Sequence, residues 1–204
     1  MKHSRIWIAL LAPILGVTGI SPQASSKGEG NPNAPTYAQD GKLKFPGNYR
    51  EWLYLTSGID MSYGPAADMG HSMFDNVFVN PDAYKAFVAT GKWPDKTVFV
   101  LEGRVAGSKG SINKAGHYQT TEIMSRSIHL KDDSRGGWAF FGFGDGPTGS
   151  HIPKEAVCYS CHADHGAVDT TFVQFYPTLL DIARQKGTLS PGYMKKEAAM
   201  ADKK

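Results

Sequence analysis

Cysteine is nearly absent from this chain: Cys158 and Cys161, three positions apart, are the only two in 204 residues. A disulfide framework of the kind that staples small secreted domains is therefore excluded. A surplus of one charge is lacking too, since 22 Lys and Arg stand against 19 Asp and Glu, a formal net charge of +3. That balance is too neutral to point to a nucleic-acid partner. There is no apolar stretch of the roughly 20 residues that a membrane-spanning helix needs. The run from Ile6 to Ile20 is shorter and is broken by Pro13 and Gly16. No internal repeat is visible.

What is present suits one domain with terminal extensions. Hydrophobic residues make up 41% and charged residues 20%, enough to bury a core. Residues 1–24 read as a secretory signal: Lys2, His3 and Arg5 form a basic start, the apolar run follows, and Ala24, Ser25 and Ser26 supply small residues for cleavage. The chain is expected to be periplasmic or otherwise exported. Without that segment, 20 basic residues face 19 acidic ones, leaving +1. Residues 25–38, rich in Ser, Gly, Asn and Pro, read as a flexible leader. Residues 39–187 form the expected domain and 188–204 a charged tail that frays at its end.

Within the domain, Asn80-Pro81-Asp82 predicts a helix start, with Asn80 as cap and Pro81 in the first turn. Tyr84, Phe87 and Val88 then share a face, and Gly91 ends the helix. Thr97 to Val105 predicts a strand with Thr97, Phe99 and Leu101 on one face and Val98 and Val100 on the other. A second β-like stretch runs from His117 to Leu130, and Trp138 to Phe143 is an aromatic strand. Pro177 opens a last helix, with Leu179, Ile182 and Ala183 toward the core and Gly187 at its end. The pattern is α+β: an antiparallel sheet with a few helices packed on one side.

Cys158-Tyr159-Ser160-Cys161-His162 is a C-x-x-C-H motif. Two thiols at this spacing can each add to one vinyl group of a single porphyrin, and the next residue's imidazole then reaches the iron. The motif predicts one covalent haem c with His162 on the metal. A redox dithiol would sit in a βαβ pattern, which is missing here. A zinc site would need a second cysteine pair.

Several segments together resemble the cytochrome P460 family, which includes the cytochromes c′-β. They are NYREWLYL (48–55), NPDAYKAF (80–87), GKWPDKTVFVLE (91–102), GGWAFFGF (136–143), CYSCH, and DTTFVQFYPTLL (169–180). The resemblance implies a sheet-rich fold, a homodimer, and a five-coordinate haem with His162 as proximal ligand and the sheet over the distal face. P460 proteins oxidise hydroxylamine and carry a lysine on this sheet that bonds covalently to the porphyrin. The c′-β branch lacks that bond, and aromatic caps restrict its pocket to small gases. The lysine belongs to a V-x-V-K-E pattern; this chain reads Val98-Phe99-Val100-Leu101-Glu102, which puts Leu101 at that position. A distal arginine of the family falls on Asp75.

Phe74, Phe78, Phe99, Trp138 and Phe140 are candidate haem-wall residues, with Leu101 among them. Met61, Met69, Met73 and His71 are candidate sixth ligands, and each can equally be core or surface. His165 has no second haem motif to serve. Glu155 and Asp75 are candidate proton-moving groups. The first functional reading is capture of nitric oxide or a similar small ligand. The alternatives are oxidation of hydroxylamine or a related nitrogen compound, and electron transfer with a redox partner protein.

Overall fold

The alternation read in Val98 to Val105 becomes strand β4 (Val98–Gly107), near the middle of the sheet. The structure, a computed structural model, describes residues 30–61 and 70–202. The other strands are β1 (Leu43–Lys44), β2 (Leu53–Ile59), β3 (Met73–Val79), β5 (Tyr118–Asp132), β6 (Gly137–Phe143) and β7 (Thr148–His151). They form one sheet in the order β1-β7-β6-β5-β4-β3-β2, antiparallel at each pairing. Among the described residues, four α-helices join the sheet: α1 (Pro81–Thr90), α2 (Val157–His165), α3 (Leu180–Lys186) and α4 (Pro191–Ala201). The expected α+β architecture is what the chain adopts.

Period-two alternation gives the sheet two differently covered faces. Val98, Val100, Ile128, Leu130, Phe141 and Phe143 point to one side, where Leu43, Tyr49 and Trp52 of the N-terminal segment cover them. Glu102 lies on this side, fully buried, held by the Tyr49 hydroxyl and by Arg50 and Arg104. Burial works against its charge. The Arg104 and Tyr49 bonds and the two arginine charges outweigh burial and bring its pKa below the usual value. On the other side Leu55, Val79 and Phe99 meet Phe87, Trp93, Val173, Tyr176 and Leu179 in a second cluster. The helices and the candidate site belong to this second side.

Several expectations need correction. Residues 30–38 are not a free leader: Asn33 accepts hydrogen bonds from Asn48 and from the Trp52 indole, and the Tyr37 hydroxyl donates to Asp132. Asn80 does not cap α1 with its side chain. Its amide instead accepts from the Val98 N–H at 2.9 Å and donates to the Lys96 carbonyl at 3.1 Å, clasping the start of β4. Val88 is 40% exposed, while Phe87 beside it is buried. Pro177 lies in a turn before α3, which starts three residues later. The segment read as a charged tail forms α4, capped where the Ser190 hydroxyl accepts the Tyr193 N–H at 3.2 Å. The signal segment 1–24 lies outside the described residues.

Candidate functional site

C-x-x-C-H folds as part of α2, and helical periodicity brings positions 158, 161 and 162 to neighbouring places on one face. Both thiols are half-buried and unbridged. No residue of α2 is fully buried, and polar contacts as well as the half-buried rings of Tyr159 and His162 hold the helix in place. The Tyr159 hydroxyl accepts the Phe140 N–H at 3.1 Å and donates to the Ile152 carbonyl at 3.0 Å, tying α2 to β6 and to the residue after β7. From the other side the Lys196 ammonium of α4 donates to the Asp164 carbonyl at 2.7 Å.

His162 Nδ1 lies 2.7 Å from the Thr170 carbonyl oxygen. A carbonyl only accepts, so Nδ1 carries the proton and Nε2 keeps its lone pair. Burial lowers the His162 pKa more than the Thr170 bond raises it, which favours the neutral imidazole, the form that binds a metal. Its ring stacks on Phe172 at 4.1 Å and meets Phe140 at 4.6 Å and His129 at 5.0 Å.

The acceptor stands in a short loop, 166–171, braced from several sides. The Trp93 indole donates to the Thr171 hydroxyl at 2.9 Å, and the Ser190 hydroxyl donates to the Gly166 carbonyl at 2.8 Å. Asp169 takes a left-handed φ of 50°, which closes the turn from Val168 to Thr171. Gly166 is the tightest point: a Cβ there would lie 2.8 Å from the His162 carbonyl oxygen and 2.9 Å from the Thr171 nitrogen.

A cavity of about 170 Å³ opens between His162 and the sheet. Val77, Phe99, Leu101 and Phe140 supply its apolar wall; Thr56, Asp75 and Ser127 add polar groups, and Met61 lies at its edge. Leu101 stands between Val77 and Ser127 in the strand register. A second cavity of about 430 Å³, lined by Cys161, His165, Tyr193 and Met200, adjoins it; Phe172 and Phe175 line both. Burial raises the pKa of Asp75, and the charge of Asp60 adds to this.

Leu101, Phe99, Phe140, Asp75 and His162 thus come to one cavity. Phe74 does not: it alternates with Asp75 and shares a face with Asn76 and Phe78, on the far side of the sheet. Phe78 belongs to the cluster on that far side. Glu155 is exposed in the turn before α2 and is not among the cavity's lining residues. Trp138 packs against His129 at 4.4 Å. Met73 lies beside Gly103, His71 is exposed, and His165 pairs with Lys196. Met69 lies outside the described residues.

Sequence reasoning missed His129, which lies opposite Phe99 and Phe140 in the sheet register and is 8% exposed. Burial above all, then repulsion from His162 when that ring is protonated and from Lys154, drives its pKa well below the ordinary value. Its place opposite Phe99 comes from the strand register, which the sequence does not show.

The donor set fits a haem. Two thiols and an imidazole share one helix face beside two adjoining cavities with aromatic walls. It does not fit zinc: among the described residues no three His, Cys, Asp or Glu side chains gather as a metal would require. No curated protein matches the chain. The family model Cytochrome P460 matches residues 46–173, more than half of the chain, from just after β1 through CYSCH to the segment that follows the loop beside His162. The chain belongs to the cytochrome P460 family and is a haem cytochrome of that type.

Proposed function

We propose that the chain carries a single haem c, joined to Cys158 and Cys161 and ligated by His162, and that it captures small ligands such as nitric oxide on the sheet side of the cavity. The observation that carries this reading is the place of Leu101, in the cavity wall where the P460 resemblance puts a cross-linking lysine. When bound, the group supplies a ferrous iron that takes nitric oxide without help from a hydrogen bond. His162 would hold the metal through Nε2, because Thr170 occupies Nδ1. Val77, Phe99, Leu101 and Phe140 exclude water from the wall. Titration of the reduced protein with nitric oxide should shift its absorption spectrum; an unchanged spectrum ends this reading. Changing Cys158 and Cys161 together to alanine should make the haem extractable into acid acetone. Haem that stays bound would mean another residue is cross-linked.

A second reading, oxidation of hydroxylamine or a related nitrogen compound, is favoured by Asp75. Its carboxyl lines the same cavity, and its raised pKa makes it a better proton acceptor. Turnover with hydroxylamine and an artificial electron acceptor should then fall in D75N; activity no greater than that of free haem removes this reading. Met61 at the cavity edge keeps electron transfer as a third, which a high-spin resting spectrum would eliminate. We further infer an exported, homodimeric protein, from residues 1–24 and from the family resemblance respectively.

A further inference from the structure

We propose that His129 is a positioning residue for the axial imidazole and acts through Thr170. This rests on the reading of His162 as iron ligand. His129 projects from β5 into a box of rings: Phe140 stacks on it at 4.1 Å with 10° between planes, Trp138 lies at 4.4 Å, and His162 meets it edge-on at 5.0 Å. A phenylalanine would fill that space without burying polar atoms, and a buried imidazole is costly unless hydrogen-bonded. The polar contact it makes is with Thr170, where His129 Nε2 and the hydroxyl share a 3.3 Å hydrogen bond.

Thr170 therefore has two tasks. Its hydroxyl is held by the sheet through His129, and its carbonyl takes the Nδ1–H of His162 at 2.7 Å. Trp93 clamps the next residue through the Thr171 hydroxyl, and the left-handed Asp169 precedes it. What remains free is the tilt of Thr170 itself, and the bond to His129 fixes it. The central sheet thus sets where the acceptor of His162 stands. A strong Nδ1–H···O bond makes an imidazole a better donor to the metal, and outer partners of this kind tune potential and affinity.

The test uses the holoprotein, with H129F, T170V and the double variant. H129F keeps the aromatic packing and removes the ring nitrogens; T170V removes the hydroxyl and keeps the carbonyl. Both should raise the midpoint reduction potential and lower the iron–histidine stretching frequency in the resonance Raman spectrum of the ferrous protein. The double variant should shift no further than either single one, because both cut the same link. An H129F protein that holds haem with unchanged potential and stretching frequency overturns the proposal, as does a double variant whose shift is the sum of the two. If H129F does not fold, T170V decides alone: no shift in either quantity overturns the proposal. Absence of covalent haem in the wild-type protein would instead sink the proposed function.

Discussion

Leu101 faces the cavity with 37% of its surface exposed, so it contributes less to stability than the roughly 2 kcal/mol of a fully buried leucine. Its value is chemical: a leucine has no amine to join a porphyrin. The reduced protein should therefore show an ordinary c-type spectrum, and a strongly red-displaced band would refute the assignment. Asp132 supports a prediction about stability. Burial raises its pKa, but bonds from Lys96, Ser134 and Tyr37 outweigh burial and bring it down to about 2. A depressed carboxyl stabilises the fold fully above its unfolded pKa, near 3.8, and that contribution is lost as pH falls toward 2. Lys96 is 40% exposed, so screening holds the contribution to about 1–2 kcal/mol. Urea unfolding from pH 5 to 2 should show D132N less stable at the upper end, the two proteins converging at the lower; parallel curves would refute this. At this scale the placing of Cys158, Cys161 and His162 on one helix face was legible from their spacing. His129 was not, because a lone histidine in a strand has no spacing to read. Phe74 and Asp75 are adjacent, so alternation lets only one of them face the cavity, and sequence alone could not say which.

Helix α2 gains its position from the loop that follows it. At Gly166 the atoms that would crowd a Cβ are all backbone: the carbonyl oxygens of His162 and Asp169 and the Thr171 nitrogen. None can move without shifting the Thr170 acceptor. Gly166→Ala should cost about 1–3 kcal/mol, the usual range for overpacking. It should also lower haem content per chain, measured by pyridine haemochrome against protein concentration. A variant that melts at the wild-type temperature with full haem would show that the loop yields. Gly91 combines two constraints, a left-handed φ of 72° and the Lys186 Cβ at 2.7 Å from where its own would stand. Its helix-ending role was readable from sequence, but the contact with the end of α3 was not. Helix α4 was illegible for a related reason. Its residues are mostly charged or small, and what holds it lies elsewhere in the chain: Arg184 on Glu197, and Asp164 beneath Lys196.

Across the whole molecule the two faces of the sheet differ in what they need. The face that buries Val98, Val100, Ile128 and Leu130 is closed by Leu43, Tyr49 and Trp52, with Arg50, Arg104 and Glu102 as an ionic knot. None of these residues belongs to the candidate site. The opposite face is covered by Phe87 of α1, Trp93, Ala183 of α3 and the 167–179 segment, while α2 adds no buried side chain to that cluster. A nine-residue helix is marginal in water without packing, so α2 depends on the segments it contacts and, in the proposed function, on the haem. The alternation in β4 and β5 made the two-faced sheet legible from sequence, but this unequal dependence emerges only once the covering segments are placed. In the C158A/C161A protein, stripped of haem, hydrogen exchange should stay slow through β4, β5 and β6. It should become fast in α2, the 166–171 loop and α4, because local openings follow the weakest packing. Far-ultraviolet circular dichroism should keep its sheet signal. If protection is lost equally in β5 and α2, the sheet does not fold independently of the cofactor, and the division of labour between the two faces is wrong.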